Sequence, residues 1–287
     1  MRLLILGSRG LLGAAIHREF ASEEVIAADH GALDITHERA VVATVSEVRP
    51  DLILNCAAYN NVDGAEEDPV TALTVNAFAV RAIARAAAEA GATFVHYSSD
   101  FVFDGETDRP YTEEDAPNPL SVYAASKLLG DWFALASPRA YVLRVESLFG
   151  KPGPASTRRG SLAAIVDGIL EGAEVPVFVD RTVSPTHTAD IGRATAHLVR
   201  SHAPPGLYHC VSTGLATWPE IAEYTAHVLG KPLRHRPMTL ADARLRARRP
   251  RYCALSNAKL AAAGHIMPRW QDAIEEYLRG SGLGAGG

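Results

Sequence analysis

Short apolar runs alternate with amphipathic helical patterns along the first half of the chain. Each run stops abruptly next to a glycine or a polar residue, as the buried strands of a parallel sheet do. The runs are Met1–Leu6, Glu24–Ala28, Asp51–Asn55, Ala92–Tyr97 and Ala140–Val145. Strands that alternate with helices in this way predict an α/β fold built on a parallel sheet.

The second half of the chain continues the mixture of strand and helix patterns. Further strands are predicted at Val175–Val179 and Gly206–Val211. The clearest helical patterns of the whole chain are Pro69–Ala90, Ala189–Arg200, Trp218–Leu229 and Trp270–Leu278. Residues 151–159 combine glycine, prolines and basic residues, which is typical of a mobile loop.

A glycine-rich turn separates the first strand from the first helix. Gly7, Gly10 and Gly13 follow the spacing G-x-x-G-x-x-G, and a helical pattern continues through Phe20. Such glycines let the backbone approach a pyrophosphate, to which the helix N-terminus offers free N–H groups and partial positive charge. A turn of this kind at a strand-to-helix junction predicts a dinucleotide site.

Two charged residues near this turn bear on the choice of dinucleotide. Asp29 follows the second strand, where a carboxylate can bind the adenosine ribose and repel a 2′-phosphate, unless it is a solvated loop acid. Arg9 lies inside the glycine turn and favours phosphate. NADH and NADPH therefore both stay open. Asp34 is either a turn residue or a ligand contact, and Thr36 is a candidate N-cap for a helix through Val48.

Several candidate residues share one edge of the predicted sheet. Gly7, Asp29, Ala57 and Ser99 all lie where a predicted strand ends. In open parallel sheets, ligands bind outside the carboxyl ends of the strands. The agreement of these four positions strengthens the prediction of a dinucleotide site.

A tyrosine and a lysine four residues apart are the candidate reactive pair. Tyr123 and Lys127 fall on one face of a predicted helix, because a helix turns once every ~3.6 residues. A lysine ammonium close to a phenol favours the phenolate, so the pairing predicts a tyrosine whose pKa is lowered for proton transfer.

Composition and charge exclude several classes of protein. The net charge of −5 argues against a general nucleic-acid binder. Three widely spaced cysteines suggest neither a disulfide framework nor a zinc site, and the histidines show no metal-binding spacing. The first apolar run is too short for a signal peptide, and no stretch looks long enough to span a bilayer. We therefore expect a soluble, cytoplasmic protein without a membrane partner.

A basic cluster interrupts this acidic composition near the C-terminus. It comprises Arg244, Arg246, Arg248, Arg249 and Arg251. The cluster is either a solvated face or a site at which one or two guanidinium groups neutralise a substrate diphosphate.

The chain resembles the extended short-chain dehydrogenases/reductases, and within them the RmlD-like sugar-nucleotide reductases. The resemblance rests on the glycine turn, on the run Ser98-Ser99-Asp100-Phe-Val-Phe-Asp-Gly105 and on Tyr123-x-x-x-Lys127. Further likeness lies in Asn55-Cys-Ala-Ala58, Val62-Asp63-x-Ala65-Glu66, Ser184-Pro185-Thr186 and Arg249-Pro250. It covers nearly the whole chain.

This resemblance implies a Rossmann-type doubly wound parallel sheet and a smaller C-terminal α/β substrate-binding domain. We expect the NAD(P)-binding domain to cover residues 1–150, with residues 184–212 returning to it. Residues 151–183 and 213–279 would form the substrate-binding domain. The glycine-rich stretch 280–287 would be a disordered tail.

The resemblance also implies an activity and roles for individual residues. NADPH or NADH would reduce a nucleotide-linked 4-keto-6-deoxy sugar, with Tyr123, Lys127 and Ser99 as the catalytic residues. The implied cofactor-binding residues are Gly7, Arg9, Gly10, Leu11, Leu12, Gly13, Asp29, Asp34, Ile35, Ala57, Ala58, Tyr59, Asn60, Ser98, Tyr123 and Lys127. The implied substrate-binding residues are Ser99, Asp100, Val62, Ser147 and Arg249.

The chain departs from the family pattern at two places. Where rhamnose-type reductases carry a tryptophan over the sugar, this chain has Glu146 and Ser147, which leaves the identity of the sugar open. Where some relatives bind magnesium between subunits, it has Ala14-Ala15-Ile16, so we expect no metal and a monomer or a metal-independent homodimer. The alternatives are another sugar-nucleotide reductase or epimerase, and a non-catalytic regulatory subunit like that of methionine adenosyltransferase.

Overall fold

A computed structural model describes residues 1–153 and 160–283 of the chain. The strands are β1 (Arg2–Leu6), β2 (Glu24–Ala28), β3 (Leu52–Asn55), β4 (Thr93–Ser99), β5 (Ala140–Val145), β6 (Leu148–Phe149), β7 (Val175–Phe178), β8 (Thr182–Val183), β9 (Thr186–His187), β10 (Gly206–His209), β11 (Ala216–Thr217) and β12 (His235–Met238). The helices are α1 (Leu11–Glu19), α2 (Glu38–Val48), α3 (Val62–Glu67), α4 (Pro69–Leu73), α5 (Ala79–Glu89), α6 (Val122–Leu135), α7 (Gly160–Glu171), α8 (Thr188–Arg200), α9 (Trp218–Leu229), α10 (Ala258–Ala262) and α11 (Trp270–Gly280).

Six parallel strands form the central sheet, in the order β10-β5-β4-β3-β1-β2. The inner strands are buried at nearly every position because helices cover both of their faces. On one face, Leu12 and Ile16 of α1 pack with Ile191 and Leu198 of α8. Helices α2 and α5 contribute to the core on the other face. The predicted doubly wound α/β fold is confirmed.

Several strands and helices from the second half of the chain build a second core. Strand β7 pairs with β12, and β8 pairs with β11. Apolar side chains of α7, α9 and α11 fill the space between them, including Ile165, Ile221 and Ile274. Strand β10 and helix α8 return to the central layers. The division into a dinucleotide-binding and a substrate-binding domain stays a prediction.

Three local predictions need correction. Thr36 does not cap α2, because His37 occupies the N-cap position and the Thr36 hydroxyl donates to Asp34 Oδ1 at 2.7 Å instead. The helix predicted at Pro69–Ala90 contains one turn of π-helix at Thr74–Phe78. The predicted tail begins later than expected, since α11 includes Gly280 and Leu283 packs against the second core; residues 284–287 lie outside the described part. Residues 154–159 of the predicted mobile loop also lie outside it.

The stretch Pro69–Glu89 is 21 residues long and, by length and composition alone, could cross a membrane. The prediction that no stretch is long enough was therefore wrong. In its most apolar window, 56% of the segment is buried inside the protein. Val80 and Ile83 of α5 belong to the core on one face of the sheet, as expected for a core helix.

Candidate active site

A cleft of about 1020 Å3 opens at the carboxyl ends of the first strands. Its lining includes ten of the predicted cofactor-binding residues: Gly7, Arg9, Gly10, Asp29, Asp34, Ile35, Ala57, Ala58, Tyr59 and Asn60. It also includes residues that the sequence analysis missed, among them His30, Cys56, Thr71, Thr74 and Val75. Their only sequence signal is their position just after a strand or in the helix that follows the cleft loop.

The glycine turn has its predicted shape at the mouth of this cleft. Gly7 adopts a φ of +72°, and a Cβ there would lie 2.7 Å from the Ala57 nitrogen. At Gly13 a Cβ would lie 2.2 Å from the Gly7 carbonyl oxygen, so Gly13 lets α1 pack against the turn. Gly10 caps α1 without any side-chain hydrogen bond. The first N–H groups of α1 are thus left for an external acceptor such as a phosphate.

The side chains of three predicted cofactor residues are partly or fully buried. Leu12 is buried in the core between α1 and α8. Leu11 begins α1 and is half-buried. Ser98 is 4% exposed and its hydroxyl lies against Asp131, whose pKa it lowers in opposition to burial.

Arg9 and Asp29 form an ion pair with 2.8 Å between Nη1 and Oδ2. The hydrogen bond from Arg9, joined by one from the Ala32 backbone, lowers the pKa of Asp29. The two residues expected to favour opposite cofactors therefore neutralise each other. The Arg9–Asp29 ion pair therefore favours neither NADH nor NADPH in the protein alone.

Asn76 fixes the loop along the far wall of the cleft. Its Oδ1 accepts from the Tyr59 backbone N–H at 2.8 Å, while its Nδ2 donates to the Tyr59 carbonyl at 3.0 Å and to Ser126 Oγ at 3.0 Å. Asn76 lies within the π-helical turn and is 1% exposed. The sequence analysis missed it, although an isolated asparagine in an alanine-rich helix was an available signal.

Helix α6 brings the tyrosine and the lysine to the end of the cleft. The Ser121 hydroxyl caps α6 by accepting from the Ala124 N–H at 3.2 Å. Tyr123 is 8% exposed, packs edge-on against Phe101 and makes a long 3.5 Å hydrogen bond to Asn60 Oδ1. Burial, followed by the charge of Asp100, raises the pKa of Tyr123, while a hydrogen bond from Ser99 acts in the opposite direction. The predicted lowering by Lys127 is therefore wrong for the protein alone, because burial dominates.

Lys127 is buried beneath the tyrosine, with 2% of its surface exposed. Its Nζ donates to the Tyr97 carbonyl at 2.6 Å. Burial lowers the pKa of Lys127 to about 8, and Asp131 partly opposes this. Asp131 itself pairs with Arg144 at 3.1 Å, so the ammonium lies in a buried network on the sheet side of the site.

Ser99 and Asp100 face Tyr123 from the end of β4. Ser99 Oγ donates to Asp100 Oδ1 at 3.0 Å and accepts from the Phe101 N–H at 3.2 Å. Asp100 is 4% exposed, and burial raises its pKa to about 6. Val62 packs in the same small apolar cluster as Tyr123, as expected for a residue next to the substrate.

The departure from the family pattern at Glu146 and Ser147 lies just after β5, where Glu146 comes close to Asp100. Ser147 is half-buried and has a left-handed φ of +44°. Glu146 is 1% exposed, and its Oε2 accepts from the Ser184 N–H at 2.7 Å. Arg181 and Cys253, which the sequence analysis missed, complete this pocket of polar groups with an Nη2–Sγ distance of 3.1 Å.

Arg249 is engaged within the protein. Both of its terminal nitrogens bond Asp63, at 3.0 and 2.9 Å, and this hydrogen bonding lowers the pKa of Asp63 to about 2. The geometry does not support the prediction that Arg249 neutralises a substrate diphosphate. Arg249 also lines, with Arg248 and Arg251 and the loop after β4, a second cavity of about 760 Å3.

The parallel sheet, the glycine turn and the tyrosine–lysine helix define an extended short-chain dehydrogenase/reductase. Residues 1–282 match the family described as RmlD substrate binding domain, and the chain belongs to that family. The predicted family is thereby confirmed.

Named relatives match over nearly their full length. The chain is 35% identical over 284 residues to a probable dTDP-4,6-dihydroxy-2-methyloxan-3-one 4-ketoreductase of Streptomyces antibioticus, covering 96% of this chain and 94% of that one. It is 35% identical over 287 residues to the dTDP-4-dehydrorhamnose reductase of Streptomyces griseus, covering 96% and 92%. The crystal structure of the Bacillus anthracis dTDP-4-dehydrorhamnose reductase in complex with NADP superposes with a TM-score of 0.90 at 30% identity, covering 97% of this chain and 99% of that one.

Proposed function

We propose that this protein is an NAD(P)H-dependent reductase of a nucleotide-linked 4-keto-6-deoxy sugar. The observation that carries the proposal is the position of Tyr123, which lies beside Ser99, one helical turn before Lys127 and 3.5 Å from the Oδ1 atom of Asn60, a residue that lines a dinucleotide-sized cleft. The names of the relatives support the same reaction, since both Streptomyces proteins are named as reductases of dTDP-linked sugars.

The residues of the cleft fit a dinucleotide. The glycine turn leaves no room for a Cβ at Gly7 or Gly13, so the backbone can approach a pyrophosphate closely. Asp29 and Arg9 stand where the adenosine ribose would bind, and Asp34 with Ile35 lies toward the adenine. When bound, the reduced nicotinamide supplies the hydride.

The chain's own residues supply the proton and the orientation. Tyr123 donates its phenolic proton to the ketone oxygen as that oxygen becomes an alcohol. Ser99 orients the carbonyl by a hydrogen bond. Lys127, whose ammonium is fixed by the Tyr97 carbonyl, holds the nicotinamide ribose and stabilises the phenolate that proton donation leaves behind.

Substrate identity, assembly and location belong to the same proposal. Val62 and Asp100 border the sugar, and Ser147 replaces the flat tryptophan wall of rhamnose-type enzymes, which leaves a wider subsite. Arg248 and Arg251 take the diphosphate role in place of Arg249: all three line the same cavity, but both terminal nitrogens of Arg249 are bonded to Asp63. We infer a monomer or a metal-independent homodimer that acts in the cytoplasm.

Turnover of NADH and NADPH with a panel of nucleotide-linked 4-keto sugars tests the proposal. Tyr123→Phe should lower kcat by about 100- to 10,000-fold and leave dinucleotide binding nearly intact. Tyr208→Phe is the matched control, because Tyr208 is also buried but donates to the Pro204 carbonyl at the far end of β10. Dinucleotide binding without reduction of any sugar would favour the regulatory-subunit alternative, and inversion of a sugar carbon would favour the epimerase.

A further inference from the structure

A group of buried polar side chains lies directly behind Ser99, and the proposed reaction gives a role to only one of its members, Asp100. Four parts of the chain supply it: the end of β4, the end of β5, the segment before β8 and the segment after Pro250. Its members are Asp100, Glu146, Arg181 and Cys253. Such a cluster is costly to bury, so we examined what its contacts can do.

The two carboxyl groups of the cluster face each other. A carboxyl oxygen of Asp100, one of Glu146 and the Cys253 sulfur lie within 4.8 Å of one another. Asp100 Oδ2 and Glu146 Oε1 are both buried and, within the part of the chain that the structure describes, neither meets a hydrogen-bond donor. Two ionised carboxylates cannot bond each other, whereas a single proton between them satisfies both oxygens.

The charges of the cluster agree with one shared proton. Arg181 Nη2 donates to Cys253 Sγ at 3.1 Å, and its guanidinium lies 5.6 Å from the centre of the Phe101 ring. Two carboxylates, one guanidinium and one proton sum to zero, which suits a buried site. The guanidinium already supplies the positive charge that a metal ion would bring, so the three donor groups do not suit a cation.

Hydrogen bonds connect this pair to the proposed proton donor. Ser99 Oγ donates to Asp100 Oδ1 at 3.0 Å, and the same hydroxyl is within hydrogen-bonding reach of the Tyr123 phenol. The series of contacts that begins at Glu146 and runs through Asp100 and Ser99 therefore ends at Tyr123. On the other side, Arg181 lines an open cavity of about 520 Å3 between α7 and β7, which gives the cluster a route to solvent.

We propose that Asp100 and Glu146 share one proton and use it to recharge Tyr123 after each reduction. This inference rests on the proposed reductase function. The step requires the shared proton to move to Asp100 Oδ1, the oxygen that Ser99 Oγ contacts. As the phenolate takes the hydroxyl proton of Ser99, Ser99 Oγ then takes this proton from Oδ1. The carboxyl pair is left doubly ionised beside Arg181 and regains one proton from solvent, so each ketone reduced consumes one proton and the hydride supplied by the cofactor.

The surroundings of the pair determine its response to pH. Burial raises the pKa of both carboxyls, and the proximity of Asp100 raises that of Glu146 further. The titratable and charged groups that face the pair are Arg181, Cys253, Tyr123 and Tyr252. Arg181 opposes the shift at both carboxyls, and the shared proton is lost as the pH rises.

The first test is an NMR titration of carboxyl carbons in the full-length protein, which requires no activity. Glu146→Gln and Asp100→Asn assign the two signals. One of the two carboxyls should keep its proton at pH 7 in the wild type, and Asp100 should ionise at a lower pH in Glu146→Gln. If the signals show both carboxyl groups ionised at pH 7, the two groups do not share a proton and the inference is overturned.

The second test is the pH dependence of kcat. Glu146→Gln should match the wild type near pH 5, where Asp100 is protonated in both, and should turn over at least about tenfold more slowly near pH 8 with an unchanged KM for the sugar. Glu113→Gln is the matched control, since Glu113 is half-buried and likewise accepts a backbone N–H bond, from His209 at 2.7 Å.

The two tests separate this inference from the proposed function. A Glu146→Gln enzyme whose kcat follows the wild type at every pH would overturn the recharging of Tyr123, even if the carboxyls share a proton. A wild type that reduces no sugar would instead refute the proposed function. In that case Asp100→Asn should still lower the pKa of Tyr123 in an NMR titration, and an unchanged tyrosine titration would refute the connection.

Discussion

Replacing Lys127 by methionine should abolish reduction and yet make the protein at least as stable at neutral pH. Burial lowers the pKa of this lysine from 10.5 to about 8. At ~1.4 kcal/mol per pKa unit, the charged lysine costs the folded state about 3 kcal/mol below pH 8. Methionine fills similar space without this cost.

The lost hydrogen bond works against this gain. Without the ammonium, the buried Tyr97 carbonyl has no replacement donor on the methionine, at a cost of about 1–3 kcal/mol. At pH 7 the variant should therefore be between equally stable and about 2 kcal/mol more stable than the wild type.

The change of this stability difference with pH tests whether the buried lysine is its source. Between pH 8 and 10.5 the unfolded lysine still binds a proton that the folded lysine has released, so wild-type stability gains from this group as the pH rises. The advantage of Lys127→Met should shrink by about 3 kcal/mol across that window and reverse its sign. Groups other than Lys127 titrate in both proteins and largely cancel in the difference.

Urea unfolding at pH 7, 9 and 10, followed by tryptophan fluorescence, measures the difference. Lys231→Met, at an exposed lysine, serves as the control and should show no such change. A stability difference between Lys127→Met and the wild type that stays constant over this pH range would refute the reasoning, because it would mean that burial does not shift the lysine.

Three further predictions concern the dinucleotide cleft and the basic segment. Gly13→Ala should prevent dinucleotide binding and lower the Tm, because the new Cβ would lie 2.2 Å from the Gly7 carbonyl oxygen. Gly280→Ala is the control and should do neither, since nothing lies within 4 Å of its Cβ. Dinucleotide binding by Gly13→Ala in a fluorescence titration would contradict the prediction. Asp29→Ala frees Arg9 to bind a 2′-phosphate and should shift the kcat/KM preference toward NADPH; a shift toward NADH would show the carboxylate to be misplaced. Asp63→Asn should lower the free energy of unfolding by about 1–2 kcal/mol at pH 7, measured with urea. This loss should become smaller as the pH drops from 4 toward 2, because the wild-type carboxylate then takes up its proton. A loss that is independent of pH would exclude the Asp63–Arg249 ion pair as its source.

Local patterns predicted much of the central layers. The strands β2 and β5 have the predicted bounds, and the backbone turns tightly at Gly7 as the glycine pattern predicts. These features depend on residues that are neighbours in the sequence, where periodicity and backbone sterics decide the structure. Thr36 failed as a helix cap because Asp34, two residues away, offered its hydroxyl a carboxylate.

Contacts between distant segments could not be read from the sequence. Arg249 was expected to meet an anion, but nothing local indicated that the anion would be Asp63. Glu146 stood out as a departure from the family, yet its burial with Arg181 depends on how two separate parts of the chain pack. The raised pKa of Tyr123 has the same origin, since desolvation is a property of the assembled site.

The edge position of β10 has a consequence for how the protein is made. Five strands of the sheet are complete once Val145 has left the ribosome, but the outer edge of β5 waits for residues 206–209. Much of the second core is synthesised in between. During that interval an apolar strand has one unpaired edge, and the face of α1 that later packs on α8 is open to solvent. A nascent chain that pauses before Gly206 is therefore exposed to aggregation at β5. The sheet is complete only after the chain has passed through the second core and returned as β10.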